Sequence, residues 1–590
     1  MNLNWSLKEL YTSFDSKEFK EDLNELKLFI SKINSEVNSD INSNDIKSTL
    51  EKYINDNIKL TNLVTNLYSF CSLTTSVDTN NSEALKNSEI IQKILAEMAE
   101  SDSKYKKFIG SIDNLDNIIE SSPLLKEHEF MLKEIKTNSK YVLSDKEESI
   151  IAKMQTTGSS AFDTLKEALV SKLMVNIEID GKKKILPLTE VRNLAHHKDS
   201  EVRKAAYYAE LESYKKIEDS AAAALNGIKG EVITTSKLRG YESPLHESLI
   251  KSRMDMEALD AMIDAMKEYI PYFRGYLKKK AEILGYKNGL PFYEMFAPIG
   301  QVNKTYSYDE AKDFVEENFR TFSDNLGDFA KRAFDENWID VLPKEGKVAG
   351  AFCAGLPTIG QSRIMLNFGG NLSDVITLAH ELGHGYHGNC LLNESILNSD
   401  YPMPIAETAS TFCETIVKKA TLKKATKEDA LSILESELQD STQIIIDIYS
   451  RFLFEKKLFE MRNEAALTPK ELNEIMISAQ KEAYGDGLDQ DLLHPYMWIC
   501  KPHYYSAGYS YYNFPYAFGL LFAKGLYAEY LKKGEEFIPK YDKLLALTGK
   551  NSAADVTNVM NIDIHDINFW RSSLEIIKGD IDEFLNLCHN

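Results

Sequence analysis

The sequence predicts a mainly α protein with a small β unit just ahead of one chemically loaded helix. Three observations carry this reading. Apolar residues recur at three- and four-residue spacing through most of the 590 residues, the period of one buried helix face. Strand patterns stand out in only two places, around Met174–Ile179 and around 348–369. No unit of fixed length repeats along the chain, which excludes a solenoid.

The elements follow in order. A helical stripe runs from Leu7 to Ile33, and Asn34 to Asn44, rich in Asn and Ser, reads as a polar break. The stripe resumes from Asp45 to Phe70 and again from Ser82 to Ile109, as expected of helices packed in a bundle. Met174-Val175-Asn176-Ile177-Glu178-Ile179 then alternates, Asp180-Gly181 supplies a type I′ turn, and Lys184-Ile185-Leu186 returns as a hairpin. Thr189 is placed to cap a helix through Val191 and Leu194. This hairpin marks the expected boundary between an N-terminal helical region, 1–185, and a larger body, 186–590. Helical patterns return from Ser200 to Leu284, broken at Gly240 and at Ser243-Pro244. After a turn-rich, aromatic stretch from Gly285 to Gly300, one helix is expected from Tyr308 to Phe334. Segments 348–353 and 363–369, joined through Gly355, Pro357 and Gly360, read as an antiparallel strand pair.

Composition narrows the class. Hydrophobic residues at 43 % and charged residues at 27 % are those of an ordinary globular protein. A formal charge of −21 argues against a nucleic-acid partner, which needs clustered Lys and Arg. No run of about 18 apolar residues occurs, so no membrane span is expected. The opening Met1-Asn2-Leu3-Asn4-Trp5-Ser6 has neither the basic nor the apolar region of a signal peptide. Six scattered cysteines without C-x-x-C spacing fit a reducing compartment, and a cytoplasmic location is expected.

The helix after the second strand pair carries His380-Glu381-Leu382-Gly383-His384, the His-Glu-x-x-His pattern of a helical zinc site in metallopeptidases. Two histidines four apart share a helix face and can reach one ion. Glu381 beside them can hold a water and act as general base. Asn371 or Ser373 can cap the start, and Asp374 suits the first turn. A catalytic zinc keeps three protein ligands, so a third must follow. The extended H-E-x-x-H-x-x-G-x-x-H pattern fails, because His387 and Cys390 stand at its Gly and His positions. Glu394 and Asp400 fall among turn residues. Glu407 instead opens the stretch Ala406–Glu414, whose small residues would let it pack close to the first helix. Glu407 is therefore the expected third ligand, and Glu414, seven residues on, the expected hydrogen-bond acceptor for a ligating imidazole. The edge of the preceding strand pair offers backbone groups to an extended peptide, with Gly350, Ala351 and Phe352 as candidate contacts; a plain structural hairpin fits equally well.

A second dense region is His503-Tyr504-Tyr505 through Tyr516, with Pro515 placed to start a helix. Tyr hydroxyls and a His N–H are suitable donors to the oxyanion of peptide hydrolysis, although Tyr-rich stretches more often serve packing.

With these residues set out, the chain resembles the zinc oligopeptidases of the oligoendopeptidase F and thimet oligopeptidase family. The likeness rests on Leu366-Asn367-Phe368 through Gly385, on Ala406–Thr411, on His503-Tyr504-Tyr505, and on Tyr512-Asn513-Phe514-Pro515-Tyr516-Ala517-Phe518-Gly519. Asn561-Ile562-Asp563 with Phe569-Trp570 extends it. The resemblance implies a large helical body enclosing a deep substrate channel, with one Zn2+ per chain on His380, His384 and Glu407. It implies Glu381 as general base and His503, Tyr509 and Tyr516 near the scissile carbonyl. It implies short peptides as substrates and internal cleavage. An exopeptidase on the same scaffold, or a peptide-binding protein without activity, are the alternatives; the second would have shown the loss of a ligand or of Glu381.

Overall fold

The computed structural model describes residues 3–300 and 305–589. Helices dominate, and five short strands complete the regular structure among the described residues: β1 (Met174–Ile179), β2 (Lys182–Pro187), β3 (Ile339–Asp340), β4 (Phe352–Leu356) and β5 (Gln361–Met365). The chain forms two compact units, each built from three separate segments. The first comprises Met1–Lys140, Lys304–Thr421 and Glu529–Ile562; the second comprises Tyr141–Asn303, Leu422–Ala528 and Asp563–Asn590. The boundary expected at 185–186 follows chain order, whereas the contact units divide first at Lys140–Tyr141.

In the first unit the helices Lys17–Ile41 and Ile46–Val77 pack with Ser82–Ala96 and Ala99–Gly110. Their apolar stripes form one core that includes Leu26, Ile30, Leu50, Ile54, Leu67, Ile91 and Ile109. The polar break expected at Asn34–Asn44 is mostly helix, since the first helix continues to Ile41. Tertiary partners override the weak local preference there. Val37 is buried, the Asn34 amide donates to the Glu97 carbonyl at 2.9 Å, and Ser101 donates to Asn34 Oδ1 at 2.5 Å. The single helix expected from Tyr308 to Phe334 is two, Tyr308–Phe322 and Asp324–Asp335. Ser323 takes an extended backbone between them, and its hydroxyl accepts from Leu326 N, so it caps the second helix.

The expected strand pair is a three-stranded sheet in the order β3-β5-β4. β4 and β5 are antiparallel in the register Phe352↔Met365 to Leu356↔Gln361, and β3 adds parallel to β5. β4 is thus an edge strand, with one row of backbone groups unpaired by any strand among the described residues. Of the three candidate contact residues, only Phe352 lies in β4. Gly350 has φ +83 and its carbonyl accepts from the Asn367 amide at 2.8 Å, which keeps Gly350 and Ala351 out of the ladder.

In the second unit the hairpin forms as expected. Asp180 and Gly181 both have positive φ, and Ile179 pairs with Lys182 across them. Thr189 does not cap the next helix; Leu188–Asn193 has Pro187 at its N-cap position, two residues earlier, and Leu188 N bonds the Leu173 carbonyl. Val175 and Ile177 join Tyr214, Leu225, Ile228, Phe454, Leu458 and Trp498 in the core of this unit. The helices Met256–Ile283 and Ile567–His589 pack along each other, with Arg571 forked onto Glu268 at 2.7 Å.

Candidate metal centre

The helix Leu372–Cys390 in the first unit starts with a reciprocal cap. Asn371 Oδ1 accepts from Asp374 N, and Asp374 Oδ2 accepts from Asn371 N, both at 3.0 Å. Val375, Leu378, Ala379 and Leu382 are fully buried, which fixes the rotation of the helix and so the direction of His380 and His384. Glu407 stands between the short turn Met403–Ala406 and the helix Thr408–Lys424, with its carbonyl accepting from Thr411 N. Small residues on both helices bring them together. A Cβ added to Gly383 would sit 2.6 Å from Ser410 Cα and 2.7 Å from the Ala409 carbonyl oxygen, so the backbones cross where only glycine fits.

The crossing gathers three donor atoms. His380 Nε2 and His384 Nε2 are 3.1 Å apart, and Glu407 Oε2 lies 3.3 Å from the first and 3.4 Å from the second. A tetrahedral ion with bonds of about 2.0–2.1 Å holds its ligands about 3.3–3.4 Å apart, so the triangle fits zinc closely. Two imidazoles with one carboxylate are also a zinc-type donor set. Among the described residues this trio is the one cluster of three such groups placed to share an ion. The orientation of His380 is set from behind. Its Nδ1–H donates to Glu414 Oε1 at 2.5 Å, since a carboxylate can only accept, which leaves Nε2 free for a metal. Glu414 in turn receives Lys418 Nζ at 2.9 Å, and Ser410 Oγ donates to Glu407 Oε2 at 2.9 Å.

Electrostatics follow from this packing. Burial favours a neutral His380, but its bonds to Glu407 and Glu414 outweigh that and push it up to about 10 without a metal. Burial raises Glu414, but Lys418 and His380 bring its carboxyl down to about 2. Glu407 is likewise buried and yet held well below the usual carboxylate range by the two imidazoles. Glu381 goes the other way: burial pushes its carboxyl up against the pull of both histidines.

His503, Tyr509 and Tyr516 lie in the second unit, where they gather around Tyr512. Ring centroids are 5.0 Å apart for His503–Tyr512, 5.1 Å for Tyr509–Tyr512 and 5.7 Å for Tyr512–Tyr516. Tyr516 is on the helix Phe514–Lys533, which starts one residue before Pro515, and Tyr509 and Tyr512 precede it on a loop. Burial lowers the pKa of His503, helped by the charges of Arg451, Lys501 and Lys166. Its Nδ1 is buried without a hydrogen-bond partner among the described residues. The loop is tied down at several points. Tyr509 shares a hydrogen bond with Ser252 Oγ at 2.9 Å, and Ser248 donates to the Ser510 carbonyl at 2.6 Å. Tyr511 has φ +54 and packs on Phe452 and Phe459. Asn513 donates to Glu455, which Lys229 neutralises at 2.8 Å.

The sequence pattern of Peptidase family M3 matches residues 193–576, and that of Oligopeptidase F matches 111–174. The chain belongs to peptidase family M3. Among similar proteins, an oligoendopeptidase F homolog of Lactococcus lactis subsp. lactis is 24 % identical over 99 % of this chain and 97 % of its own. Oligopeptidase PepF of Bacillus subtilis is 24 % identical over 88 % and 78 %. Among solved structures, one from Chlamydophila abortus superposes with TM-score 0.87 at 22 % identity, covering 99 % of this chain and 98 % of that one. Oligoendopeptidase-F from Enterococcus faecium gives 0.71 at 18 % identity over 96 % and 99 %. As a member of family M3 the protein is a metalloendopeptidase acting on oligopeptides, and no helix among its described residues is long and apolar enough to cross a membrane.

Several supporting residues of this M3 peptidase lie outside the sequence reading. Lys418 was findable, because it stands four residues after Glu414, the spacing of a helical ion pair. Ser252 was not, since 257 residues separate it from Tyr509. His387 is fully buried between a stacked Tyr401 ring, 4.0 Å away, and Thr548 Oγ1, 2.8 Å from its Nε2. Burial and the neighbouring His384 lower it to about 3, so it is a neutral packing residue of the metal helix.

Proposed function

We propose that this M3 peptidase is a zinc-dependent oligoendopeptidase that hydrolyses internal bonds of short peptides, with one zinc ion held by His380, His384 and Glu407. The triangle formed by their three donor atoms supports the reading most directly. When bound, zinc supplies Lewis acidity toward a carbonyl oxygen and a water molecule. Glu381 takes a proton from the attacking water and delivers it to the leaving amine, a role suited to a carboxylate whose pKa burial has raised. Glu414 holds His380 in the tautomer that presents Nε2. His503, Tyr509 and Tyr516 are assigned as donors to the oxyanion that replaces the carbonyl, and the free edge of β4, beginning at Phe352, as the peptide-binding strand. Residues 186–590 are then the catalytic region and 1–185 the N-terminal helical region. Six free cysteines accord with a cytoplasmic site of action, and the charge of −21 with the absence of a nucleic-acid partner.

The test is hydrolysis of a quenched fluorescent oligopeptide blocked at both ends, with and without a chelator, and with product masses read out. Internal cleavage that the chelator abolishes and zinc restores is the expected result. Cleavage of unblocked peptides only would transfer the chain to the exopeptidases, and no cleavage by zinc-loaded protein would leave a peptide-binding protein. A second expectation concerns Lys418. Lys418→Met removes the cation that keeps Glu414 ionised behind His380, and the apparent zinc dissociation constant should rise about 10–100-fold, as for other outer partners of metal ligands. Chelator competition measures this, and an unchanged constant would confine Lys418 to the helix surface.

A further inference from the structure

In the second unit, the turn that leads into the helix Phe514–Lys533 is held by a buried ion pair. Lys229, on the helix Glu218–Arg239, places Nζ 2.8 Å from Glu455 Oε1, on the helix Ile448–Glu464. The other carboxylate oxygen, Glu455 Oε2, accepts from the Asn513 side-chain amide at 3.0 Å. We propose that Lys229, Glu455 and Asn513 are positioning residues for peptide hydrolysis: the ion pair fixes the turn 511–513 and, through it, the placement of Tyr512 and Tyr516. The inference rests on the assignment of the tyrosine loop to the oxyanion and adds the part of the protein that holds it.

The turn has a shape its own backbone does not favour. Tyr511 has φ +54, a region that a bulky side chain rarely enters. Asn513 N donates to the Tyr511 carbonyl at 2.6 Å, which closes a three-residue γ-turn with Tyr512 at its centre. Backbone of this kind persists only where its surroundings over-determine it. One face of the helix Ile448–Glu464 does so. Phe452, Glu455 and Phe459, spaced three and four residues apart, meet the turn together. Both phenylalanine ring centroids lie 5.6 Å from that of Tyr511, and Glu455 takes Asn513. Lys229 joins the cluster a second time, with Nζ over the Phe459 ring at 4.9 Å.

Helix packing alone gives no reason for the pair, because an apolar pair of similar size avoids the desolvation that two buried charges suffer. Lys229, Glu455 and Asn513 are 0, 1 and 2 % exposed, so solvent does not readily replace a lost partner. Asn513 supplies the reason. A carboxylate can only accept, so it selects the NH₂ end of the amide, and its charge strengthens the bond. Asn513 Oδ1 is thereby turned to accept from Phe514 N at 2.6 Å. The Asn513 carbonyl accepts from Tyr516 N at 3.1 Å, which carries the constraint into the helix that bears Tyr516.

The test replaces the whole pair, so that no charge is left buried alone. Lys229→Met combined with Glu455→Leu should fold and load zinc as wild type does. On a blocked quenched peptide it should lose about 10–100-fold in kcat, the scale of a displacement of about 1 Å at the reacting groups. KM should stay within about twofold. Lys229→Met combined with Glu455→Gln returns a neutral acceptor to Asn513 and should recover most of that kcat. The loss must also run through the tyrosines: in a Tyr516→Phe background the apolar double variant should cost less than about threefold more. Unchanged kcat in the folded apolar variant, no recovery with glutamine, or an equal loss in both backgrounds would overturn the proposal. Should the apolar variant fail to fold, as judged by its melting curve, Asn513→Ala, which leaves the ion pair whole, must show the same kcat loss and the same dependence on Tyr516. Wild type that cleaves no peptide would reject the peptidase reading, and Tyr516→Phe with wild-type kcat would reject the oxyanion assignment on which the proposal stands. A Tyr516→Phe variant that is impaired beside an apolar variant that is not would reject the positioning role alone.

Discussion

Glu381→Gln is expected to retain zinc at one ion per chain and to lose about 10²–10⁴-fold in kcat, the range that general acid–base catalysis contributes. The glutamine keeps the shape of the buried side chain and removes only its ability to accept and return a proton. Metal content by mass spectrometry and kcat on a blocked peptide are the two readouts. Their separation matters: loss of metal together with activity would mean that Glu381 supports the site's structure, and full activity would remove it from the mechanism. The carboxylate is suited to the task because burial lifts its pKa against the pull of the two histidines on either side, which makes it a stronger base.

Gly383→Ala carries the second large effect, although the substitution adds one methyl group in the middle of a helix, where alanine is ordinarily the better residue. The new Cβ would lie 2.6 Å from Ser410 Cα, a backbone atom that no rotamer change can move. The two helices must separate, and with them Glu407 from His380 and His384. Overpacking of this kind costs about 1–3 kcal/mol, visible as a lower melting temperature. The metal-binding constant is expected to fall by about 100-fold or more, since a donor triangle only 3.1–3.4 Å on a side tolerates little widening. Isothermal titration with zinc reads this directly. A variant that binds zinc as tightly as wild type would show that the crossing does not set the ligand spacing.

Much of the fold was legible because local chemistry and tertiary structure agree. Asp180-Gly181 can hardly be anything but a tight hairpin turn, and Asn371 with Asp374 spells a cap wherever a helix follows. The failures are places where distant partners decide. Asn34 to Asn44 looks like a loop until Glu97 and Ser101 supply hydrogen-bond partners, and Ser323 looks like one more helical residue until its hydroxyl finds Leu326 N. Around the metal centre the spacing of His380 and His384 constrains their direction, and the small residues after Ala406 point to the close crossing at Gly383. The supports of the tyrosine loop had no such signal: Ser248, Ser252 and Lys229 are remote in sequence and ordinary in type. Nor does chain order reveal that each compact unit is assembled from three segments.

That interleaving sets an order of events during synthesis. The metal helix of the first unit is finished at Cys390, but two of its polar partners come much later: Asp542, which accepts from Tyr386 at 2.6 Å, and Thr548, which bonds His387 across 161 residues. At roughly 5–20 residues per second, the ribosome needs about 8–32 s to cover that distance. From Glu407 until Asp542 is made the nascent chain holds both histidines and Glu407 while Tyr386 and His387 still await Asp542 and Thr548. The ligands of the metal are thus made well before two of the contacts around their helix, and a chain interrupted between Glu407 and Asp542 would contain every one of those ligands and lack the bonds from Tyr386 and His387 to Asp542 and Thr548.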